Sequence, residues 1–252
     1  MTPNVLVISG HDPSGGAGLV ADIQTISACG AHPTLAISAI TDQDTANAYA
    51  VFPVPADQLL AQLDRVVADI PPQAIKIGLL PSPASAQALL PLLDRLQDVP
   101  VVLDPVLVAS GGGSLAEADL VAVLRDALIP RATVVTPNTP EARALTGQDD
   151  PATAGQALVA LGARWALVTG GDAPTHDVCN HLIGAETVTT RWPRRAGSFH
   201  GTGCTLASAL AAGLALGRSV PEAALGAQQF VDHALASALR PGQGQSIPRR
   251  FR

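Results

Sequence analysis

Lysine is almost absent from this sequence: of its 15 Lys and Arg residues, only Lys76 is a lysine. A phosphate-binding loop of the GxxxxGKS/T type needs a lysine directly after its second glycine, so this loop is excluded. Any bound nucleotide must therefore be held in another way. A mechanism through a lysine Schiff base could use only Lys76.

The sequence also lacks long apolar runs, basic clusters and aromatic side chains. No run of about 18 uncharged apolar residues suggests a membrane span, and so no membrane partner is expected. Aromatic residues make up 3% of the chain and the net charge is −6, which disfavours nucleic-acid binding. The basic residues near the C-terminus are interpreted as a solvated tail: Arg249, Arg250 and Arg252.

Cysteine is scarce as well. The three cysteines, Cys29, Cys179 and Cys204, cannot all pair in disulfides, which fits a reducing compartment. The first residues are too short and too uncharged for a signal peptide and instead predict a strand. We therefore expect a cytoplasmic protein.

What the sequence does contain is a regular alternation of short aliphatic runs with longer helical patterns. Hydrophobic residues make up 47% of 252 residues, enough for one large domain over residues 1–252. Strands that are apolar on both faces and alternate with helices predict an α/β fold, with a mainly parallel sheet covered on both sides. The predicted strands are 5–9, 35–40, 74–77, 101–103, 133–135 and 166–168; the predicted helices are 16–30, 55–69, 83–96, 116–128, 139–146, 151–162, 202–217 and 220–240; and 177–194 is predicted to form a hairpin.

Ligands of such sheets bind at the carboxyl ends of the strands, so the residues after each strand are the candidates. Glycines at 15, 16 and 18 would let a ligand approach the backbone at a helix N-terminus, although a flexible turn explains them too. Gln43 follows the second strand, where a polar loop is the favoured interpretation. Asp104 follows the fourth strand and is well placed for Mg²⁺ or phosphate chemistry.

The next two strand ends leave their interpretation open. Asn138 and Glu141 are three residues apart, a spacing that suits a ligand site and equally suits helix capping. Thr169 and two glycines follow the sixth strand, where they form either a nucleotide contact or a turn.

A thiol in the segment HGTGCT, residues 200–205, is the least ordinary feature. Successive N–H groups at Gly201, Thr202, Gly203 and Cys204 would open a helix and form an anion hole. The same field is expected to lower the pKa of Cys204, so that its thiolate could act as a base or nucleophile. The alternative is a small buried hydrophobic residue, the usual fate of a free cysteine.

Taken together, these stretches resemble the hydroxymethylpyrimidine and phosphomethylpyrimidine kinases of thiamine biosynthesis, within the ribokinase-like superfamily. The resemblance covers nearly the whole chain and rests on five motifs in family order and spacing. These are GHDPSGGAGLVAD (10–22), KIGLL (76–80), LDPV (103–106), TPNTPEA (136–142) and HGTGCT (200–205). It implies a ribokinase-like three-layer α/β/α sandwich that uses ATP and Mg²⁺ on a small pyrimidine, 4-amino-5-hydroxymethyl-2-methylpyrimidine and then its monophosphate. A homodimer is also implied.

The resemblance assigns roles to positions of this chain. Cys204 matches the catalytic base, and the backbone of Gly201, Thr202 and Gly203 matches the hole around the transferred phosphoryl group. Residues matching the substrate site are Gly10, Asp22, Gln43 and Leu80. Residues matching the ATP site are Asp104, Asn138, Thr169 and Gly171. Glu141 and Asp104 match the positions near Mg²⁺.

Some positions depart from the family pattern. Thr169 and Ala109 stand where the family has lysines near the nucleotide phosphates, and Asp42 and Asp44 flank Gln43. Two alternatives stay open: a pyridoxal kinase of the same cysteine type, whose substrate is also a planar ring with a hydroxymethyl group, and a binding protein that keeps the pocket without turnover.

Overall fold

A computed structural model of the chain describes residues 2–107 and 118–251, which form a nine-stranded sheet with helices on both faces. The strand order is β3-β2-β1-β4-β5-β6-β7-β8-β9, and the six central strands from β2 to β7 are parallel. β3, β8 and β9 run antiparallel to their inner neighbours at the two edges. The strands are β1 Asn4–His11, β2 His32–Gln43, β3 Ala48–Pro53, β4 Ala74–Ile77, β5 Val101–Leu103, β6 Val134–Val135, β7 Trp165–Thr169, β8 Asp177–Ile183 and β9 Thr187–Pro193.

The α-helices of the described residues form two layers around the sheet. They are α1 Gly18–Ala28, α2 Ala56–Asp69, α3 Pro83–Ala88, α4 Leu90–Arg95, α5 Ala118–Val123, α6 Thr139–Thr146, α7 Pro151–Ala160, α8 Thr202–Ala215 and α9 Val220–Ala236. Alternate residues of β1 supply both cores: Val5 and Val7 pack with α1, α8 and α9, while Leu6 and Ile8 pack with α2 to α7. The predicted three-layer α/β/α sandwich with a mainly parallel sheet is therefore confirmed.

The structure differs from the predicted elements mainly at one edge. The stretch after the second strand is not a polar loop, because β2 continues to Gln43 and Ala48–Pro53 returns along it as β3. The predicted helix over 83–96 is divided into α3 and α4 at Leu89, two residues before Pro91. α5 continues into a π-helical turn, Leu124–Leu128, and a 3₁₀ turn, Ile129–Arg131.

None of the helices in residues 2–107 and 118–251 combines the length and apolar character that crossing a membrane requires. The predicted departure at Ala109 lies outside the described residues.

Candidate active site

The carboxyl ends of the central strands bring most of the predicted site residues to one edge of the sheet. Each strand end is hydrogen-bonded to its neighbour: the N–H of Asp104 donates to Ile77 O (2.8 Å), and the N–H of Thr136 donates to Leu103 O (2.9 Å). Asn138 forms an isolated bridge with Thr169, so the motifs after β6 and β7 are joined. The N-terminus of α8 lies beside this edge, since a Cβ added to Gly203 would meet the two carboxylate oxygens of Asp104 at 3.8 and 3.9 Å.

The predicted anion hole corresponds to an uncapped helix N-terminus. α8 begins at Thr202, and no described side chain caps its first N–H groups. Its N-cap, Gly201, has a φ of 83°, and a Cβ at this position would collide with the carbonyl oxygen of Gly16. Only glycine therefore fits at 201, and the free N–H groups of the first turn can bind an anion.

Cys204 lies in the first turn of α8, but its predicted activation by the helix is wrong for this structure. Burial, with smaller effects of Asp22 and Asp104, raises the pKa of the Cys204 thiol to about 12, although Lys76 and the N–H of Gly18 favour the thiolate. Burial therefore outweighs the helix field, and the thiol is protonated at neutral pH.

Asp22, predicted to contact the substrate, instead forms a fully buried ion pair with the only lysine of the chain. Lys76 Nζ lies 3.0 Å from Asp22 Oδ1 and 3.1 Å from Oδ2, and the hydroxyl of Ser208 donates to Oδ1 at 2.7 Å. Both Asp22 and Lys76 have no exposed surface. Burial alone would lower the pKa of Lys76, but the charges of Asp22 and Asp104 and the hydrogen bond to Asp22 raise it, so the lysine is charged. Direct substrate contact by Asp22 stays a prediction. The observed contact of Asp22 is with Lys76, whose charge lowers the pKa values of Cys204 and Asp104.

Asp104 and Glu141 are buried acids that form no ion pair with any residue of 2–107 or 118–251. Asp104 is 4% exposed, and its Oδ2 has no hydrogen-bond partner among the described residues. Burial raises the pKa of Asp104 to about 6 despite the charge of Lys76. Burial and then the charge of Asp104 raise the pKa of Glu141 to about 8. The charge of Asp104 thus disfavours ionisation of Glu141, which is largely protonated at neutral pH.

The NxxE pair forms a helix cap, which confirms one interpretation of its spacing, while its role as a ligand site stays a prediction. Asn138 Oδ1 accepts a hydrogen bond from the N–H of Glu141 at 2.8 Å, and Glu141 Oε2 accepts one from the N–H of Asn138 at 2.9 Å. This capping box fixes the Glu141 carboxyl group at the start of α6, where the backbone N–H of Leu107 also contacts it.

The residues present fit a bound magnesium ion. Two buried acids with raised pKa values and one unpartnered buried oxygen are groups that a hard cation would stabilise. Within residues 2–107 and 118–251 no cluster of three or more His, Cys, Asp or Glu side chains could hold a metal by itself. Mg²⁺ usually keeps several waters and binds through one or two carboxylates and substrate phosphates, which matches Asp104 and Glu141.

The loop after β7 holds the other predicted nucleotide contacts. Thr169 O accepts a hydrogen bond from the hydroxyl of Thr139 at 3.3 Å, which ties it to the start of α6. The guanidinium of Arg194 donates to Gly171 O (2.7 Å), Ala173 O (2.5 Å) and Thr175 O (2.7 Å). Arg194, which follows β9, therefore holds the loop after β7 in place. The family pattern has a lysine just before this loop, at position 169.

Gln43 is the partly exposed member of the predicted substrate residues, and it belongs to a chain of polar contacts. Its Nε2 lies 2.9 Å from His200 Nε2, which lies 2.8 Å from Asp12 Oδ2. Burial would raise the pKa of Asp12, but the hydrogen bonds and charge of His200 and the contacts with Ser14 lower it. Asp12 and His200 thus join the loop before α1 to the loop before α8.

The remaining predicted substrate residues are buried. A Cβ at Gly10 would meet Leu79 at 2.8 Å, so the glycine allows close packing within the sheet. Leu80 is 2% exposed and belongs to the core formed with α2 to α7. Asp44, which flanks Gln43, has a contact within its own turn: its carboxylate accepts the N–H groups of Ala46 and Asn47 and closes the β2–β3 turn. Contacts by Gly10 and Leu80 with substrate stay predictions.

Sequence reasoning missed several site residues. Asp12, His200 and Lys76 stand inside the quoted motifs, but no spacing rule indicated their pairing. The interpretation of the basic tail as solvated is wrong for Arg250, which is 2% exposed and contacts the loop of Gly15 and Gly16. Its neighbour Arg249 is exposed, as expected.

The chain is similar to known proteins along nearly its full length. A family model described as phosphomethylpyrimidine kinase matches residues 12–249. A hydroxymethylpyrimidine/phosphomethylpyrimidine kinase from Streptomyces coelicolor is 39% identical over 96% of this chain and 92% of its own.

Two solved structures share the fold. An ADP complex of Bacillus subtilis pyridoxal kinase has a TM-score of 0.92 at 30% identity, covering 99% of this chain and 98% of that one. A phosphomethylpyrimidine kinase from Clostridium difficile has a TM-score of 0.79 at 32% identity, covering 93% and 100%. With the motifs at the carboxyl edge in place, these similarities show that the chain belongs to the phosphomethylpyrimidine kinase family.

Proposed function

We propose that the protein transfers the γ-phosphoryl group of ATP to the hydroxymethyl group of 4-amino-5-hydroxymethyl-2-methylpyrimidine, and then phosphorylates the monophosphate to the diphosphate. The observation that carries this proposal is the uncapped N-terminus of α8, with Cys204 in its first turn and Asp104 beside Gly203. Oriented N–H groups at such a place stabilise the charge that spreads over a transferring phosphoryl group.

Each group of the site has a task in this reaction. The N–H groups from Gly201 to Cys204 bind the transferred phosphoryl oxygens. Bound Mg²⁺, held by Asp104 and Glu141, would neutralise charge on the phosphates of ATP. Gln43, from the end of β2, offers donor and acceptor groups to the edge of the aminopyrimidine.

Cys204 receives the proton in the first step. Cys204 first releases its own proton to solvent; as the hydroxymethyl oxygen then bonds to the γ-phosphorus, the bond to the ADP oxygen breaks and the hydroxyl proton moves to the Sγ thiolate. Because the thiol has a pKa of about 12, its thiolate is a strong base that depends on the nearby charge of Lys76. In the second step the acceptor is an ionised phosphate oxygen, which needs no base.

Pyridoxal kinase activity is the second candidate, favoured by the close fold match to the Bacillus subtilis enzyme. Against it, Asp44, an acid that would favour a cationic ring, is engaged by the N–H groups of its own turn. The 39% identity to a pyrimidine kinase also exceeds the 30% identity to that pyridoxal kinase.

The test is mass spectrometry of the products formed from each of the two substrates with Mg-ATP. We expect pyrimidine monophosphate followed by diphosphate, with pyridoxal phosphate formed more slowly at equal substrate concentration. Faster product formation from pyridoxal would replace the proposal with the second candidate. No product from either substrate would favour a binding protein without turnover.

We also propose that the protein forms a homodimer through the β2–β3 edge. Ile40, Tyr49 and Phe52 expose 52%, 63% and 54% of their surface along this edge. Such a cluster favours contact with another chain. Light scattering should give twice the monomer mass for the wild type and the monomer mass for Phe52→Glu; a monomeric wild type would contradict the proposal.

A further inference from the structure

Arg250 occupies an unusual place for an arginine in a chain tail. It is 2% exposed and lies among the largest fully buried side chains of the described residues. The backbone N–H of its neighbour Arg249 donates to Ala234 O of α9 at 3.0 Å, which anchors the segment. The guanidinium of Arg250 is thereby directed towards the loops that precede α1 and α8.

The guanidinium joins these two loops through backbone carbonyls. Nη2 donates to Gly16 O and, at 3.5 Å, to Gly201 O, while Nη1 lies 3.5 Å from Gly15 O. One side of the contact is therefore the glycine loop before α1, and the other is the N-cap of the helix that forms the anion hole.

A second connection runs through Thr205. Nε of Arg250 donates to Thr205 Oγ1 at 2.8 Å, and that hydroxyl donates to Gly201 O at 2.7 Å. The carbonyl of Gly201 is thus held from two directions. Because the orientation of this peptide sets the direction of the next N–H groups, the contacts of Arg250 fix the geometry of the hole.

Among the described residues, the guanidinium of Arg250 forms no ion pair with a carboxylate. Its hydrogen-bond acceptors among the described residues are carbonyl, hydroxyl and amide oxygens, and none is a carboxylate. Burial lowers the pKa of Arg250, whereas the charges of Asp22 and Asp12 favour its charged form. A buried guanidinium that is hydrogen-bonded but not neutralised leaves a positive field at the start of α8.

We propose that Arg250 is a positioning residue for phosphoryl transfer: it clamps the glycine loop of Gly15 and Gly16 to the N-terminus of α8 and adds positive charge behind the anion hole. The proposal rests on the proposed kinase function for its catalytic part only. The clamp itself is a property of the free protein.

The clamp is tested first without any reaction. Amide hydrogen exchange of the free protein is compared for wild type, Arg250→Ala and Arg249→Ala, which removes the exposed neighbour as a matched control. We expect faster exchange in peptides covering residues 14–18 and 200–205 for Arg250→Ala alone. Wild-type exchange in both peptides of this variant would overturn the clamp.

The catalytic part is tested by steady-state kinetics of the pyrimidine alcohol with Mg-ATP. We expect kcat of Arg250→Ala to fall roughly 10- to 100-fold, because the hole is misplaced in the transition state, with KM for ATP changed less than about threefold. Added guanidinium ion should recover part of kcat. A loss confined to KM, or no loss, would overturn the positioning role.

A variant that keeps the charge guards against failure to fold. Arg250→Lys retains the cation but cannot reach both loops with a planar fork. We expect its kcat to lie between those of wild type and Arg250→Ala; kcat equal to wild type would show that geometry at Arg250 is unimportant and would overturn the clamp. If the wild type transfers no phosphate at all, the proposed function fails while the exchange result still decides the clamp.

Discussion

The two halves of the carboxyl edge differ in whether their buried acids have partners within the protein. In the half formed by β1, β4 and the starts of α1 and α8, each buried acid has a partner within the protein: Asp22 forms an ion pair with Lys76, and Asp12 is hydrogen-bonded to His200. In the half formed by β5, β6 and α6, Asp104 and Glu141 lie near each other, and neither forms an ion pair within the described residues.

This difference shows which charges the protein balances for itself. Self-paired acids keep a fixed geometry whatever is bound, which suits the groups under the acceptor and the anion hole. Unpaired acids gain stability only when a cation arrives, which suits a site that must bind and release a metal with its nucleotide. Cys204 lies between the halves, since both Lys76 and Asp104 influence its pKa.

The largest expected effect comes from removing the thiol at this boundary. Cys204→Ala should lower kcat for the pyrimidine alcohol by about 10²- to 10⁴-fold, because the hydroxyl loses its general base. Phosphorylation of the monophosphate should fall far less. Single-turnover assays of the two steps check this, with Cys179→Ala on β8 as the control; equal losses in both steps would show that Cys204 does not act as the base.

The next effect breaks the self-paired half. Lys76→Met leaves Asp22 buried without its cation, and the free energy of unfolding should fall by about 3–5 kcal/mol. Arg95→Met removes a cation from an exposed pair with Asp64, whose side chains are 61% and 59% exposed, and should cost less than about 1 kcal/mol.

Urea denaturation measures both losses. The double variant Lys76→Met/Asp22→Asn should recover part of the stability, because it removes the stranded charge. Similar losses for the buried and the exposed pair would remove the basis of the comparison between the two halves.

The unpaired half is tested by pH and metal together. Burial and Asp104 raise the pKa of Glu141 from an ordinary 4.5 to about 8, so between these values the folded protein holds a proton that the unfolded chain has released. The contribution of Glu141 to stability is therefore present below pH 4.5 and is lost as the pH rises to about 8, by on the order of a few kcal/mol.

Melting temperatures of wild type and Glu141→Gln isolate this contribution. The wild type should lose stability relative to Glu141→Gln as the pH rises, and Mg²⁺ should restore more of it at pH 8 than at pH 4.5. If the difference in melting temperature between the two proteins does not change with pH, the pKa of Glu141 is not raised in the folded protein.

The smallest effect adds a cation to the unpaired half. Thr169→Lys restores the lysine that the family pattern has beside the nucleotide phosphates, and KM for ATP should fall about two- to fivefold. Thr187→Lys places the same charge at the start of β9, at the opposite edge of the sheet, and should leave KM unchanged. Equal behaviour of the two variants would show that position 169 is far from the phosphates.

Much of the fold was predictable because its signals are local. Aliphatic runs such as 74–77 and 101–103, and the helix at 139–146, have the predicted bounds. β3 was missed because AYAVFP is short and follows polar residues, and because its pairing with β2 depends on a neighbour that propensity does not describe.

The site was predictable only where backbone geometry determines it. Gly201 and the capping box of Asn138 and Glu141 follow from helix termini and could be predicted from their residue types. The pKa of Cys204 and the burial of Arg250 could not, since both depend on which distant side chains pack around them. A local rule for thiols at helix starts gave the wrong direction because desolvation was the larger effect.

The high pKa of Cys204 also has a chemical benefit outside catalysis. Peroxides and other oxidants attack the thiolate, and a thiol with a pKa of about 12 is almost wholly protonated at neutral pH. The resting protein therefore keeps Cys204 as a thiol, a form that resists oxidation to sulfenic acid.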